Sequence, residues 1–314
     1  MKVFGKILIS GVLLILITGT ILYFYNSNSV SKYKIIYMGS SEYSPYWKKL
    51  GDAVNQVAKE NKVVLDDYTP FGQDFETKTV MSERFLREGY GAVIFGDGGD
   101  EIFAPRFIED AKDAGVPIFT IDTPIDEKDM EGFVGIGNNE SGRVVGKYIL
   151  GRVGGGKDVL IIAANYIHGD SIDRAESAKK VLEDGGNRVK IINVDSDDWL
   201  IDNVSVLVRE EFNKNPDYSA VFAVWDEAIV SVSETLDEMG LGDDVVLVGF
   251  DGLDIVLKRI KSGDISATIS QPVNLMAKNS LDQVSAYFEG RDFDKRILLS
   301  GELVDGENVD KYLN

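Results

Sequence analysis

Nine short apolar runs, most of them separated by amphipathic stretches of helical length, constrain this fold more than any other feature. They are "KIIYM", "KVVLD", "AVIFG", "VPIFTI", "FVGIG", "DVLIIAA", "VKIINV", "AVFAV" and "VVLVGF". Each is too short for a buried helix and reads as a strand covered on both faces. Between them lie segments such as "YWKKLGDAVNQVAKE", with Leu50, Val54, Val57 and Ala58 on one face. Alternation of this kind predicts an α/β protein, with parallel sheets wrapped by helices. So many β-α units exceed one comfortable sheet. Two lobes are expected, dividing near Asn138.

In such folds ligands bind beyond the carboxyl ends of the strands. That rule selects the residues just after each run. Ser44, Tyr46 and Trp47 follow the first, and Asp122 follows "VPIFTI". After "DVLIIAA" comes "NYIHGDSIDRA", which crowds His168, Asp170, Asp173 and Arg174 together. "DSDDW" ends in Trp199, and Trp225 and Asp226 follow "AVFAV". Asp251 follows "VVLVGF", and Gln271 closes the strand within "ISATISQP". All three tryptophans are thus read as lying at strand exits, beside an Asp or a serine-rich turn. One such Trp reads as packing. Three of them suit a sugar, whose C–H faces lie flat on rings and whose hydroxyls bond carboxylates and an Arg.

Composition removes several chemistries. The chain has no cysteine and one histidine, which excludes disulfides, cysteine nucleophiles and multi-histidine metal centres. A net charge of −19 argues against nucleic acid, which needs clustered Lys and Arg. "GIGNNESG" is not a dinucleotide motif, and "GGGKD" reads as a turn before a strand. The acidic stretch "EEFNKNPD" reads as a solvated helix face. No cofactor and no metal are expected.

Residues 7–25 carry no charge and approach the length of a membrane helix, about 20 residues. Lys2 and Lys6 precede them and no acid does, which orients the N-terminus inside. The segment is read as a retained anchor or a cleaved signal, and residues 26–32 as a polar linker. On either reading the remainder lies outside the cytoplasm. A helix-turn-helix, needed by a cytoplasmic repressor of similar architecture, has no place at this N-terminus.

At this point the chain resembles the bacterial substrate-binding proteins of the ribose and glucose/galactose type. "VVLVGFDGLDIVLKRIKSGDISATISQP" is the most specific piece, with Asp251 and Gln271 where the family reaches the sugar. "VFAVWDEA" resembles a second family turn. The resemblance implies the type I periplasmic binding protein fold: two Rossmann-like lobes, each a parallel sheet flanked by helices, joined by a multi-strand hinge. It implies a first lobe of residues 32–137 plus 272–300 and a second of 138–271 plus 301–314. His168, Asp170 and Arg174, with Trp199 beyond them, are similar to the glucose/galactose branch. By the same resemblance Tyr46 and Trp47 stack on one face of the ring, Trp199 stacks on the other, and Asp122 bonds hydroxyls. Trp225 stands where an Asn is usual, Ser44 where an Asn or Asp is common, and Thr123 where an Arg is frequent. "GRVGGGKDV" lacks the family's calcium loop pattern.

The expected ligand set is therefore Ser44, Tyr46, Trp47, Asp122, His168, Asp170, Arg174, Trp199, Trp225, Asp251 and Gln271, with no catalytic residue. The expected function is capture of a monosaccharide by hinge closure, as a monomer, and delivery to the permease of an ABC-type importer. Two alternatives remain open at this stage. One is a sensing module that presents the sugar to a membrane receptor or histidine kinase. The other is a glycoside hydrolase drawing two opposed carboxylates from Asp122, Asp170, Asp226 and Asp251.

Overall fold

A computed structural model describes residues 34–70, 79–80, 83, 87–97, 103–164, 169–194 and 202–313. The apolar N-terminal segment, its linker, His168 and Trp199 lie outside the described residues. Among the described residues, no helix is long and apolar enough to cross a membrane.

Each of the nine apolar runs contributes a strand. The first sheet takes β1 (Lys34–Met38), β2 (Val64–Asp67), β3 (Ala92–Phe95), β4 (Ile118–Ile121), β5 (Gly132–Ile136) and β11 (Arg296–Leu299). Their order is β11-β5-β4-β3-β1-β2, and every pairing is parallel. The second takes β6 (Asp158–Ala164), β7 (Arg188–Val194), β8 (Tyr218–Ala223), β9 (Val246–Asp251), β10 (Ala267–Ser270) and β12 (Glu302–Asp305). Its order, β12-β10-β9-β8-β6-β7, repeats the same winding. Only β12 runs antiparallel, at the edge.

Each half thus has the doubly wound order in which the chain reverses direction beside its first strand. A crevice opens there at the carboxyl ends. The chain crosses between halves three times: after β5, after β10, and between β11 and β12. The Gly137 N–H donates to Leu299 O and ties two of these crossings together.

The helices follow the apolar periodicity. They are α1 (Pro45–Glu60), α2 (Phe103–Asp113), α3 (Asn138–Val153), α4 (Gly169–Asp184), α5 (Asp202–Lys214), α6 (Asp226–Met239), α7 (Asp254–Ser262) and α8 (Val273–Glu289). In α1 the buried face runs through Leu50, Val54, Val57 and Ala58, and also takes Tyr46 and Trp47. Although α8 follows a strand of the second sheet, it packs on α1, β4 and β5. α3 lies very close to α4, because a Cβ at Gly142 would come within 2.4 Å of Arg174 O. That approach fixes the depth at which α4 presents Asp170 and Arg174.

Two readings need correction. The "EEFNKNPD" stretch is not uniformly solvated. Glu211 is buried and takes an ion pair from Lys190 at 2.6 Å, because α5 turns it inward over β7. Trp47 lies in the first turn of α1 rather than at a strand exit.

Candidate functional site

One cavity lies between the two sheets at the carboxyl ends of their strands, with about 620 Å³ of space, part of it open to solvent. The first half supplies Ser40, Ser44, Tyr46, Trp47, Gly96, Asp97, Asp122 and Thr123. The second supplies Ala164, Asp170, Ser171, Arg174, Val224, Trp225, Glu227 and Asp251, and Gln271 comes from a crossing segment. The cavity therefore gathers Ser44, Tyr46, Trp47, Asp122, Asp170, Arg174, Trp225, Asp251 and Gln271 from the expected set. Asp173, adjacent in sequence, points to solvent.

The first wall is aromatic. Tyr46 and Trp47 meet edge to face with ring centroids 5.5 Å apart. Gly96 makes room for the indole, since a Cβ there would lie 2.6 Å from the Trp47 ring. The Tyr46 hydroxyl bonds Asp122 Oδ1 and lies 3.1 Å from Gln271 Oε1. Asp122 also accepts from Thr123 Oγ1 at 3.1 Å.

The second wall is built around Arg174. Its Nε donates to Asn138 Oδ1 at 2.7 Å and one terminal nitrogen to Val224 O at 3.0 Å. Its plane lies 3.8 Å over the Phe250 ring. The Asn138 amide donates to Asp170 Oδ1 at 3.0 Å. At the start of α4, Ser171 Oγ accepts from the Ala164 N–H, which fixes the turn out of β6. Asp251 accepts from Gln271 Nε2 at 2.8 Å. Beneath it, Asp226 accepts from the Leu253 N–H and from Thr268 Oγ1, which ties α6 to β9 and β10.

Charge and strain concentrate here. Burial pushes the Asp251 carboxyl well above the usual range, with Arg174 opposing. Burial, then the Asp122 charge, pushes Asp170 up to about 7. Burial raises Glu227 as well. Asp122 and Asp251 both have positive φ, at 67° and 123°. A non-glycine residue held there costs about 1–3 kcal/mol, and such residues cluster at ligand clamps. The wall is thus rich in acceptors and carries one guanidinium, an arrangement that receives a ligand with many hydroxyl donors. Among the described residues, no group of acids and histidine converges as a metal site.

Sequence reasoning missed several contributors. Asp97 obeys the same strand-end rule that found Asp122, as does Thr123, which the sequence marked only as a departure from the family's Arg. Asn138 opens α3 inside the "GIGNNESG" stretch. Glu227 was visible only as the acid after Asp226.

A family model described as "Periplasmic binding protein domain" matches residues 35–292. The chain belongs to the periplasmic binding protein family. Its two sheets and three crossings are the type I fold of that family. The ribose import binding protein of Bacillus subtilis is 24% identical over 274 residues, covering 87% of each chain. An ABC transporter solute-binding protein of Actinobacillus succinogenes, solved with bound D-allose, superposes with a TM-score of 0.80 at 19% identity. It covers 90% of this chain and 100% of that one. GanP, a glucose-galactose binding protein of Geobacillus stearothermophilus, gives 0.79 at 17% identity, covering 88% and 98%.

Proposed function

We propose that the chain captures a monosaccharide outside the cytoplasm, closes its two lobes over it, and delivers it to an ABC-type importer. The observation that carries this reading is the cavity itself. Two aromatic side chains of one wall, Tyr46 and Trp47, face Trp225 and a line of carboxylates with Arg174 on the other. Flat rings take the C–H faces of a sugar and ionised groups take its hydroxyls. The curated relative in Bacillus subtilis is a ribose import protein, which supports the transport reading.

The lobes are residues 32–137 with 272–300, and 138–271 with 301–314. The ligand set is the one expected. The protein acts as a monomer without catalysis. Residues 7–25 hold it at the membrane or direct its export.

A thermal-shift screen of D-ribose, D-allose, D-glucose, D-galactose, pentoses and polyols tests the reading. Saturating ligand at about 100 times Kd stabilises by about 2.7 kcal/mol. A clear rise in melting temperature with a sugar supports it. No shift with any of them overturns it.

A further inference from the structure

We propose that Glu227 is a positioning residue that clasps the two halves of the protein together over the ligand. The proposal rests on the reading of the cleft as a sugar site that closes. Glu227 lies in the first turn of α6, in the second half. Its Oε1 accepts a hydrogen bond of 2.9 Å from Ser44 Oγ, in the first half and 183 residues away in sequence. The Tyr46 backbone N–H also helps to hold the charge on the Glu227 carboxylate.

The local chemistry of α1 explains why this contact is more than a chance meeting. Ser44 is the N-cap of α1, a place where a serine oxygen ordinarily accepts from the second or third helical N–H. Here Ser44 makes no such side-chain cap. Its hydroxyl is turned outward to Glu227. Pro45, at the first helical position, has no N–H to satisfy, so Tyr46 carries the first free donor of the turn. The first turn of α1 also has no acid of its own. Glu227 therefore supplies from across the cleft both the acceptor and the negative charge that this helix end lacks.

That cap exists only when the halves are together. In an open cleft the Ser44 hydroxyl, the Tyr46 N–H and Glu227 are each bonded to water. Closure exchanges those waters for charge-assisted bonds at the rim of the cavity that Glu227 itself lines. Lys49 adds a second contact of the same kind, donating from α1 to Gly252 O at 2.6 Å. A bond made only in the closed state slows opening. It does not speed the first encounter of a sugar with the open cleft.

The test has a ligand-free arm and a ligand arm. The chain has no cysteine, so Ser44→Cys/Glu227→Cys carries one thiol pair. A bis-thiosulfonate reagent with a single methylene spacer is expected to cross-link this pair within the monomer. Absence of the cross-link overturns the clasp, whatever the ligand is. In the second arm, stopped-flow binding of D-ribose, D-allose, D-glucose and D-galactose is compared between wild type and Glu227→Gln. Dissociation is expected to quicken about tenfold, the worth of a charged cap, with association within about twofold. The ligand-free melting temperature is expected to stay within about 2 °C. In a double-mutant cycle built on Glu227→Ala, which removes the acceptor, adding Ser44→Ala is expected to change dissociation less than Ser44→Ala does alone, because its hydroxyl has already lost its partner. Unchanged dissociation, a loss confined to association, or additive effects of the two substitutions overturn the proposal. If none of the four sugars binds wild type, the sugar reading falls for them and the cross-link alone decides the clasp.

Discussion

The Arg174 guanidinium lies 3.9 Å from the Asp251 carboxylate, and both side chains are almost completely buried. Among the described residues Arg174 is the sole cation lining the cavity, and Asp251 sits between it, Asp226 and Gln271. A buried charge left without its partner costs far more than the pair contributes. Arg174→Leu is therefore expected to lower stability by about 3 kcal/mol, read by urea unfolding. Asp251→Asn placed on top of it should recover part of that loss, because no uncompensated carboxylate remains. Strictly additive losses in the double variant would sink the pairing.

Gly96 and Trp47 make a second test. With no room for a Cβ beneath the indole, Gly96→Ala must push the ring into the cavity. Overpacking of this kind costs about 1–3 kcal/mol. The expected outcome is a fold unchanged by circular dichroism and at least about tenfold weaker affinity for any sugar the wild type binds. Equal affinity would show that the indole does not form the ligand wall.

Tyr46 joins the first half to a crossing segment through one hydroxyl, which faces Asp122 and Gln271. Tyr46→Phe leaves a buried carboxylate short of a donor. A loss of about 1–3 kcal/mol in unfolding free energy is expected. Equal stability of the two proteins would remove that hydroxyl from the account.

The fold was legible because most of its parallel strands are buried on both faces and print themselves as apolar runs, while the exposed edge strands β2 and β7 kept enough of that pattern to be found. β11 and β12 escaped because they are short, partly buried edge strands, although β11 carries the apolar run Ile297, Leu298 and Leu299. The strand-end rule reached Asp122, Arg174, Asp251 and Gln271 because it depends only on where a strand stops. It could not reach Glu227, whose role depends on Ser44 in the other half. Asn138 escaped for the same reason, since its partners Asp170 and Arg174 lie on a different helix. Glu211 was misread because its composition is that of a solvated face, and only packing against Lys190 and Tyr218 turns it inward.

The buried acids also give a pH dependence whose sign can be worked out. Asp170 is pushed up to about 7 by burial and by the Asp122 charge, and Asp226 to about 7 by burial. In an unfolded chain both titrate near about 4. Between those values the folded protein binds more protons than the unfolded one, so stability falls as pH rises. The contribution of these two groups is fully present below about pH 4 and is lost as pH climbs through about 7. Asp158 and Glu211 are shifted downward by Arg188 and Lys190, so their contribution is lost only below about pH 4 and does not tilt this window. The ligand-free protein is therefore expected to melt at a higher temperature at pH 5 than at pH 7.5. Asp170→Asn should shrink that difference, because its amide stays neutral across the range. A melting temperature that rises with pH, or a difference untouched by Asp170→Asn, would show that these carboxyls are hydrated in solution and that the ligand-free cleft stands open.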